Sequence, residues 1–392
     1  MPRGWRLYRV VLALCISLQL MGCAYTPSVT TAVNDSDTAR ILSGAVLFSD
    51  VSENALENDT HLLGQPVLAL NPDMHLFVDL YVDKDASSAT KLRQLLKAIF
   101  HGGMLGLDYD PLKTYTAAET FYFQQGNCLS FTNMFVALGR EAGLKVWFNE
   151  VKVPPTWDMQ NANTHIYYRH MNAVVKTARG RHIIDLNMES YDLDYPQQKV
   201  SDDYAMAQFL NNRAMELLFD KDWQGSFRHL RAALKLEPKQ AFLWGNLGSL
   251  YRRAEHYREA ELAFLKSLQM DPRNLLAMSN LSRLYRQLGR ESEAEALDVR
   301  VVNHRRKNPY YRYYLAQEAL DKRQLEIALD HIEAAIDAYG KDHRFHFLAA
   351  KVSSAQGNIH RAQKYLQRAT ALTKNPEQKE RYNHKLDALA SR

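Results

Sequence analysis

The hydrophobic pattern of the chain changes period along its length. Between Thr90 and Phe100, Leu92, Leu95, Leu96, Ile99 and Phe100 recur at helical spacing, and Gly102-Gly103 then ends the helix. Leu129, Phe131, Met134, Phe135, Leu138 and Ala142 fall mainly on one side of a second helix, which Cys128 opens and Gly143 closes. Two runs rich in Ile, Tyr and Val follow, Ile166 to Val175 and His182 to Leu186, with Gly180 in the turn between them; they predict a hairpin. From about Tyr204 onward the chain is helical throughout and rich in Ala, Leu, Arg and Glu.

That last region repeats. Units begun at Ala207, Ala241, Leu275, Pro309 and His343 share a period of 34 residues. Their eighth position is Ala214, Gly248, Ser282, Ala316 and Ala350; their twentieth is Ser226, Ala260, Ala294, Ala328 and Ala362. The twenty-seventh is Ala233, Ser267, Val301, Ala335 and Ala369. Small columns at one spacing require two antiparallel helices that cross closely in each unit, which an irregular bundle does not explain. The second unit adds Trp244, Leu247, Gly248, Tyr251, Phe264 and Pro272, and all five units resemble the tetratricopeptide repeat. The resemblance implies an all-α solenoid over 204–376 and a solvating cap helix over 377–392, which carries Tyr382, Leu386 and Leu389. It also implies a concave groove, lined mainly by the first helix of each unit, that holds extended peptides or helices. At the sixth position stand Asn212, Asn246 and Asn280, a ladder of amides able to hydrogen-bond a peptide backbone whatever its sequence. Beside them, Arg252, Arg253, Arg283 and Arg286 favour an acidic or carboxylate-bearing ligand.

The opposite end carries an address. Met1 to Arg9 holds Arg3, Arg6 and Arg9 and no acid, and Val10 to Met21 is a largely apolar run, too short for a spanning helix of about 20 residues. Leu20-Met21-Gly22-Cys23 resembles a bacterial lipobox, so residues 1–22 are read as a lipoprotein signal and Cys23 as the lipidated first residue. Ala24 at the next position favours the outer membrane by the family rule. The Ser/Thr/Asn/Asp-rich stretch that follows reads as a tether over 23–40. Removing three arginines from the formal +5 leaves about +2, which is no footprint for nucleic acid. With Cys15 discarded and Cys23 acylated, Cys128 has no disulfide partner in the chain.

A single free Cys with His and Asp downstream is the minimum kit for thiol catalysis. Gly126 permits a tight entry to the helix, and at the helix N-terminus the macrodipole favours a thiolate at Cys128. A hairpin centred between Thr177 and Ala178 sets His170 and Asp185 opposite one another. His165 and His182 have the wrong strand parity to replace His170.

Residues 125–186 resemble the core of the transglutaminase-like superfamily: a Gly-x-Cys helix start, a His on one strand and an Asp on the next. The resemblance implies a papain-like α+β core, placed over 41–200, and acyl transfer through a thioester. In that chemistry Cys128 is the nucleophile, His170 the base and acid, and Asp185 the group that fixes the imidazole tautomer. The backbone N–H of Cys128 is the expected oxyanion donor, with Gln124 or Gln125 as a second. Val153 to Asp158 is a candidate rim loop. No zinc spacing, phosphate loop or serine elbow is present, so neither metal nor cofactor is expected. Two functions are compatible with these features. One is a lipid-anchored, periplasm-facing cysteine peptidase, amidase or acyl-transferase that recruits a protein or peptide through its repeats. The other is a catalytically silent envelope assembly lipoprotein that uses the repeats alone.

Overall fold

In the computed structural model of the chain, the described residues are 32–48, 60–64, 66–100, 105–152, 156–157, 165–166, 170–186 and 195–390. The signal segment, Cys23, Gly102-Gly103 and most of the candidate rim loop lie outside them. Among the described residues no helix is long and apolar enough to cross a membrane.

The N-terminal half begins with α1 (Asp35–Ser43), a single 3-10 turn at Ala45–Leu47, α2 (Thr60–Leu63), α3 (Pro72–Tyr81) and α4 (Ser88–Phe100). There follow β1 (Asp108–Tyr109), α5 (Ala117–Phe123), β2 (Gln125–Gly126), α6 (Cys128–Glu141) and β3 (Lys145–Val151). The remaining strands are β4 (Thr156–Trp157), β5 (His165–Ile166), β6 (His170–Thr177), β7 (Gly180–Ile184) and β8 (Gln197–Lys199). Strands β7, β6, β3 and β8 form one antiparallel sheet in that order, and α6 packs on it with Phe131, Met134, Phe135 and Leu138 fully buried. The apolar stripe read over Leu129–Ala142 is the buried face of α6, and Gly143, at φ 75, closes it.

The hairpin differs from its expected register. Thr177 pairs with Gly180 and Ala173 with Ile184, so the turn is centred on Ala178-Arg179 rather than Thr177-Ala178. Turn chemistry is the reason: Gly180 takes φ 123, and the Thr177 hydroxyl accepts from Arg179 N at 3.1 Å. The strand read over Ile166–Val175 is realised as β6, while His165–Ile166 pair separately with β4.

The C-terminal half is five helical hairpins: α7 (Asp202–Phe219) with α8 (Trp223–Leu236), α9 (Ala241–Arg253) with α10 (Tyr257–Met270), and α11 (Leu275–Gln287) with α12 (Glu291–Lys307). Then come α13 (Pro309–Asp321) with α14 (Leu325–Ala338), α15 (His343–Ala355) with α16 (Ile359–Leu372), and the closing α17 (Pro376–Ala390). Four of the five first helices begin at the residue the 34-residue register assigns them; only α7 starts earlier, capped by the Ser201 side chain. Every described residue of the twentieth and twenty-seventh columns is buried, as helix crossing requires. A further column lies in the turn between the two helices: Lys221, Glu255, Gly289, Arg323 and Gly357 all take a positive φ, between 58 and 80. Its residue types differ, so the period does not show in the sequence.

The two halves share a core. One apolar cluster runs from Val33 to Val301, through the sheet layer and the first three repeats; a second, from Ala316 to Val352, joins repeat four to the first helix of repeat five, and a third, of Ala350, Leu366, Ala369 and Tyr382, seats α17. The tether reading therefore stops short of Arg40. Asp35–Ser43 is a helix capped by Asn34, with Ile41 fully buried. Arg40 pairs with Glu259 at 2.6 Å, and the Ile41 carbonyl accepts from the Tyr251 hydroxyl at 2.6 Å. Residues 41–48 thus seat on the first two repeats, and Ile41 fills apolar space that no tether would enter.

Candidate active site

Local sequence brings Cys128 to a helix start. Asn127 caps α6, its side chain accepting from Ser130 N at 3.0 Å, so Cys128 is the first helical residue. Its N–H is one of the first-turn amides that no helical carbonyl satisfies. Gly126 at φ 153 makes the approach possible, because a Cβ there would lie 2.5 Å from Ser130 Cβ. The Thr132 hydroxyl, 2.7 Å from Cys128 O and 3.1 Å from Met171 O, ties the first turn of α6 to the strand beside His170.

Cys128, His170 and Asp185 converge, with their ligand atoms all within 4.8 Å of one another. Nε2 of His170 bonds the Asp185 carboxylate, which leaves Nδ1 to serve the thiol. The pairing is diagonal: one step past the Ala173–Ile184 pair, Asp185 falls opposite Asn172, and its carboxylate reaches two residues along β6 to the imidazole. Asp185 is buried and accepts also from Asn172 Nδ2 at 3.2 Å. Asn172 in turn accepts from Asn149 Nδ2 at 2.8 Å, and Asn149 donates to Gln197 Oε1 at 3.0 Å. Two buried amides, Asn172 and Asn149, anchored by the exposed Gln197, thus back the carboxylate that holds the imidazole.

The electrostatics follow from that packing. Burial alone would favour the neutral ring, yet the hydrogen bonds and charges of Asp185 and Cys128 outweigh it and push His170 up to about 10. At neutral pH the ring is therefore a cation beside the sulfur. The three side chains are also, among the described residues, the one Cys/His/carboxylate cluster compact enough to share an ion. Sequence spacing carries no such signal, since the three lie far apart along the chain. Coordination through Nε2 would have to break the hydrogen bond to Asp185.

The other site residues are distributed as follows. Gln124 is exposed at the end of α5 with φ 55, and Gln125 is half-buried in β2 beside Asp108. Tyr109, which sequence reasoning missed, sets its hydroxyl 3.9 Å from Cys128 Sγ. His182 lies in β7 opposite Val175, its ring turned to Thr177 Oγ1 at 2.9 Å, and His165 falls in β5, off the main sheet. Asn172, Asn149 and Thr132 were also missed; a buried Asn sharing the parity of His170 is the signal that could have found the first.

Along the repeats, the asparagine ladder is knitted between helices. Asn246 Nδ2 donates to Asn211 Oδ1 at 2.7 Å, Asn280 Nδ2 to Ser249 Oγ at 3.4 Å, and Asn211 Nδ2 to Asn212 Oδ1 at 3.5 Å. Arg286 is committed to Asp298, which removes it from the expected anion site. Arg283 is exposed, and Arg252 is half-buried, its guanidinium made less basic by burial and then by Arg283 and Arg253. A cavity of about 490 Å³ joins the halves, bounded by Leu112, Lys113 and Asn127 on one side and Asn212, Met215 and Phe219 on the other. It runs from the first rung of the ladder to the residue before Cys128.

Models of the tetratricopeptide repeat match residues 243–274 and 275–307. No curated protein matches the chain. Among solved structures, MamA of Desulfovibrio magneticus RS-1 is 16% identical over 44% of this chain and 96% of its own, with a TM-score of 0.25. PilF of Pseudomonas aeruginosa is 16% identical over 46% of this chain and 82% of its own, with a TM-score of 0.25. YrrB, described as a tetratricopeptide-repeat protein with an unusual peptide-binding site, is 18% identical over 45% of this chain and 92% of its own, with a TM-score of 0.24. The C-terminal half of the chain is thus an array of tetratricopeptide repeats, identified by the matched models together with its helical hairpins and small columns.

Proposed function

We propose that this protein is a cysteine acyl-transfer enzyme of transglutaminase-like type, with a papain-like α+β core, that receives a protein or peptide through its repeat array. The observation that carries the reading is the convergence of Cys128, His170 and Asp185 at a helix start, with the ring raised and held by a buried carboxylate. In the reaction, Sγ attacks a carbonyl carbon and the C–S bond forms. The leaving group departs with a proton from His170, and a thioester remains. Water or an amine then attacks the thioester, His170 takes up its proton, and Sγ is released. The Cys128 N–H stabilises the oxyanion at each addition. Arrays of this repeat typically bind protein or peptide partners. The cavity between Asn212 and Asn127 gives an extended chain in the groove a route towards Cys128. Arg252 and Arg283 favour a carboxylate on that chain.

The test needs no natural substrate. On mixing with p-nitrophenyl acetate, the full chain is expected to release a burst of nitrophenolate equal to the enzyme present, as Cys128 acylates. A steady rate without a burst, or a burst retained by Cys128→Ser, contradicts the reading. The lipobox-like Leu20-Met21-Gly22-Cys23 adds a lipid anchor facing the periplasm, on the outer membrane. Cys23→Ala is expected to shift the protein from the membrane fraction to the soluble fraction, and a variant still sedimenting with membranes would exclude the anchor.

A further inference from the structure

Tyr195 reaches out of the N-terminal half to the far end of the repeat array. Its hydroxyl accepts from Arg344 Nη1, and the guanidinium of Arg344 lies 4.6 Å from the centre of its ring. Arg344 belongs to α15, the first helix of the fifth repeat, and is not free to wander. Asp342, buried at the start of that helix, accepts from Arg344 Nε at 2.9 Å and also pairs with Nη2. The guanidinium sits 5.7 Å from the ring of Tyr310, on the first helix of the fourth repeat, and Phe345 packs against Tyr310 and Tyr313 at 5.3 Å each. A fixed cation with a stacking face and a directed N–H, on an aromatic floor, is a receptor for a phenol.

The occupant in this chain is also tied to the catalytic unit. Pro196 O accepts from Lys152 N at 2.8 Å, and Gln197 pairs with Val151, the residue opposite His170. Gln197 ends the amide chain that runs through Asn149 and Asn172 to Asp185.

We propose that repeats four and five carry a binding site for the tyrosine side chain of a peptide, filled here in cis by Tyr195, and that a tyrosine-bearing partner competes with Tyr195 for Arg344. The proposal rests on the peptide-binding part of the function above and not on its thiol chemistry. Competition lowers apparent affinity by the fraction of time the site is open, so emptying it should tighten binding by about tenfold or more.

The test uses the full chain and two probes, acetyl-Gly-Tyr-Gly-amide and its Phe counterpart, followed by ligand-observed NMR titration. Tyr195→Ala is expected to bind the Tyr probe about tenfold tighter than wild type and to prefer it over Phe. Tyr195→Phe, which keeps the packed ring, should fall between, and adding Arg344→Gln to Tyr195→Ala should abolish binding. Equal affinity in wild type, Tyr195→Phe and Tyr195→Ala, or binding that survives Arg344→Gln, overturns the proposal. Failure here leaves the nitrophenolate burst intact, and loss of the burst leaves this binding intact, so the two readings fail separately.

Discussion

Cys128→Ser abolishes the nitrophenolate burst, with the acylation rate down by about a thousandfold or more, while the thermal midpoint stays within about 2 °C of wild type. The asymmetry follows from how the thiol sits. Cys128 is half-buried at the first position of α6, with the Tyr109 hydroxyl 3.9 Å from its sulfur. Oxygen for sulfur therefore removes little packing. What it removes is the nucleophile proposed above, because a serine hydroxyl is far weaker than a thiol as an attacking group beside the His170 cation. Parallel loss of burst and stability would instead make Cys128 a packing residue of the sheet layer, and the chemistry proposed for it would fall.

The second large effect is on stability, in the second repeat. Gly248→Ala should destabilise the chain by about 2 kcal/mol, although alanine is ordinarily the better helix former by about 1 kcal/mol. A Cβ at Gly248 would lie 2.6 to 2.9 Å from the ring of Phe264, inside any real contact. The other units show what the crossing tolerates. Where the eighth position is Ala214 or Ala350, its counterpart on the second helix is Leu230 or Leu366; only Gly248 faces a Phe. In the third unit Ser282 donates instead to Asp298 at 2.7 Å. Gly248→Ala combined with Phe264→Leu rebuilds the Ala/Leu crossing of the first and fifth units. The pair should recover most of the loss in a double-mutant cycle of denaturation midpoints. Additive losses would mean that the close crossing at Gly248 is not what Phe264 requires.

The repeat array was legible because its signal is local and multiplied. Small residues needed wherever two helices cross recur at one period, and the register they set falls on the observed starts of α9, α11, α13 and α15. The left-handed turn position repeats just as regularly, yet Lys221, Glu255 and Arg323 occupy it, and residues without a shared chemistry leave no column to read. At the candidate site, Cys128, His170 and Asp185 were legible from their order and from strand parity. The pairing of the last two was misplaced by one turn position, because Gly180 at positive φ pairs with Thr177 and centres the turn on Ala178-Arg179. What stayed hidden was long-range. Thr132 and Asn172 matter through contacts with Met171 and Asp185, and Tyr109 through its approach to Cys128, none of which a period announces. The docking of α1 was hidden for the same reason, since its polar composition reads as a tether until Ile41 finds the repeats.

The most direct test of the central claim is the rate at which iodoacetamide alkylates Cys128 in the full chain, followed between about pH 6 and 9 in wild type and in His170→Ala. His170 is raised to about 10, so in wild type the ring stays cationic across this window and the sulfur keeps a cationic partner throughout. The rate should be fast and nearly flat with pH. Without the ring, the rate should climb roughly tenfold per pH unit below the ordinary thiol value of about 8.5. Wild type that climbs as steeply as His170→Ala, or a folded protein that does not label at all, would contradict an activated Cys-His pair.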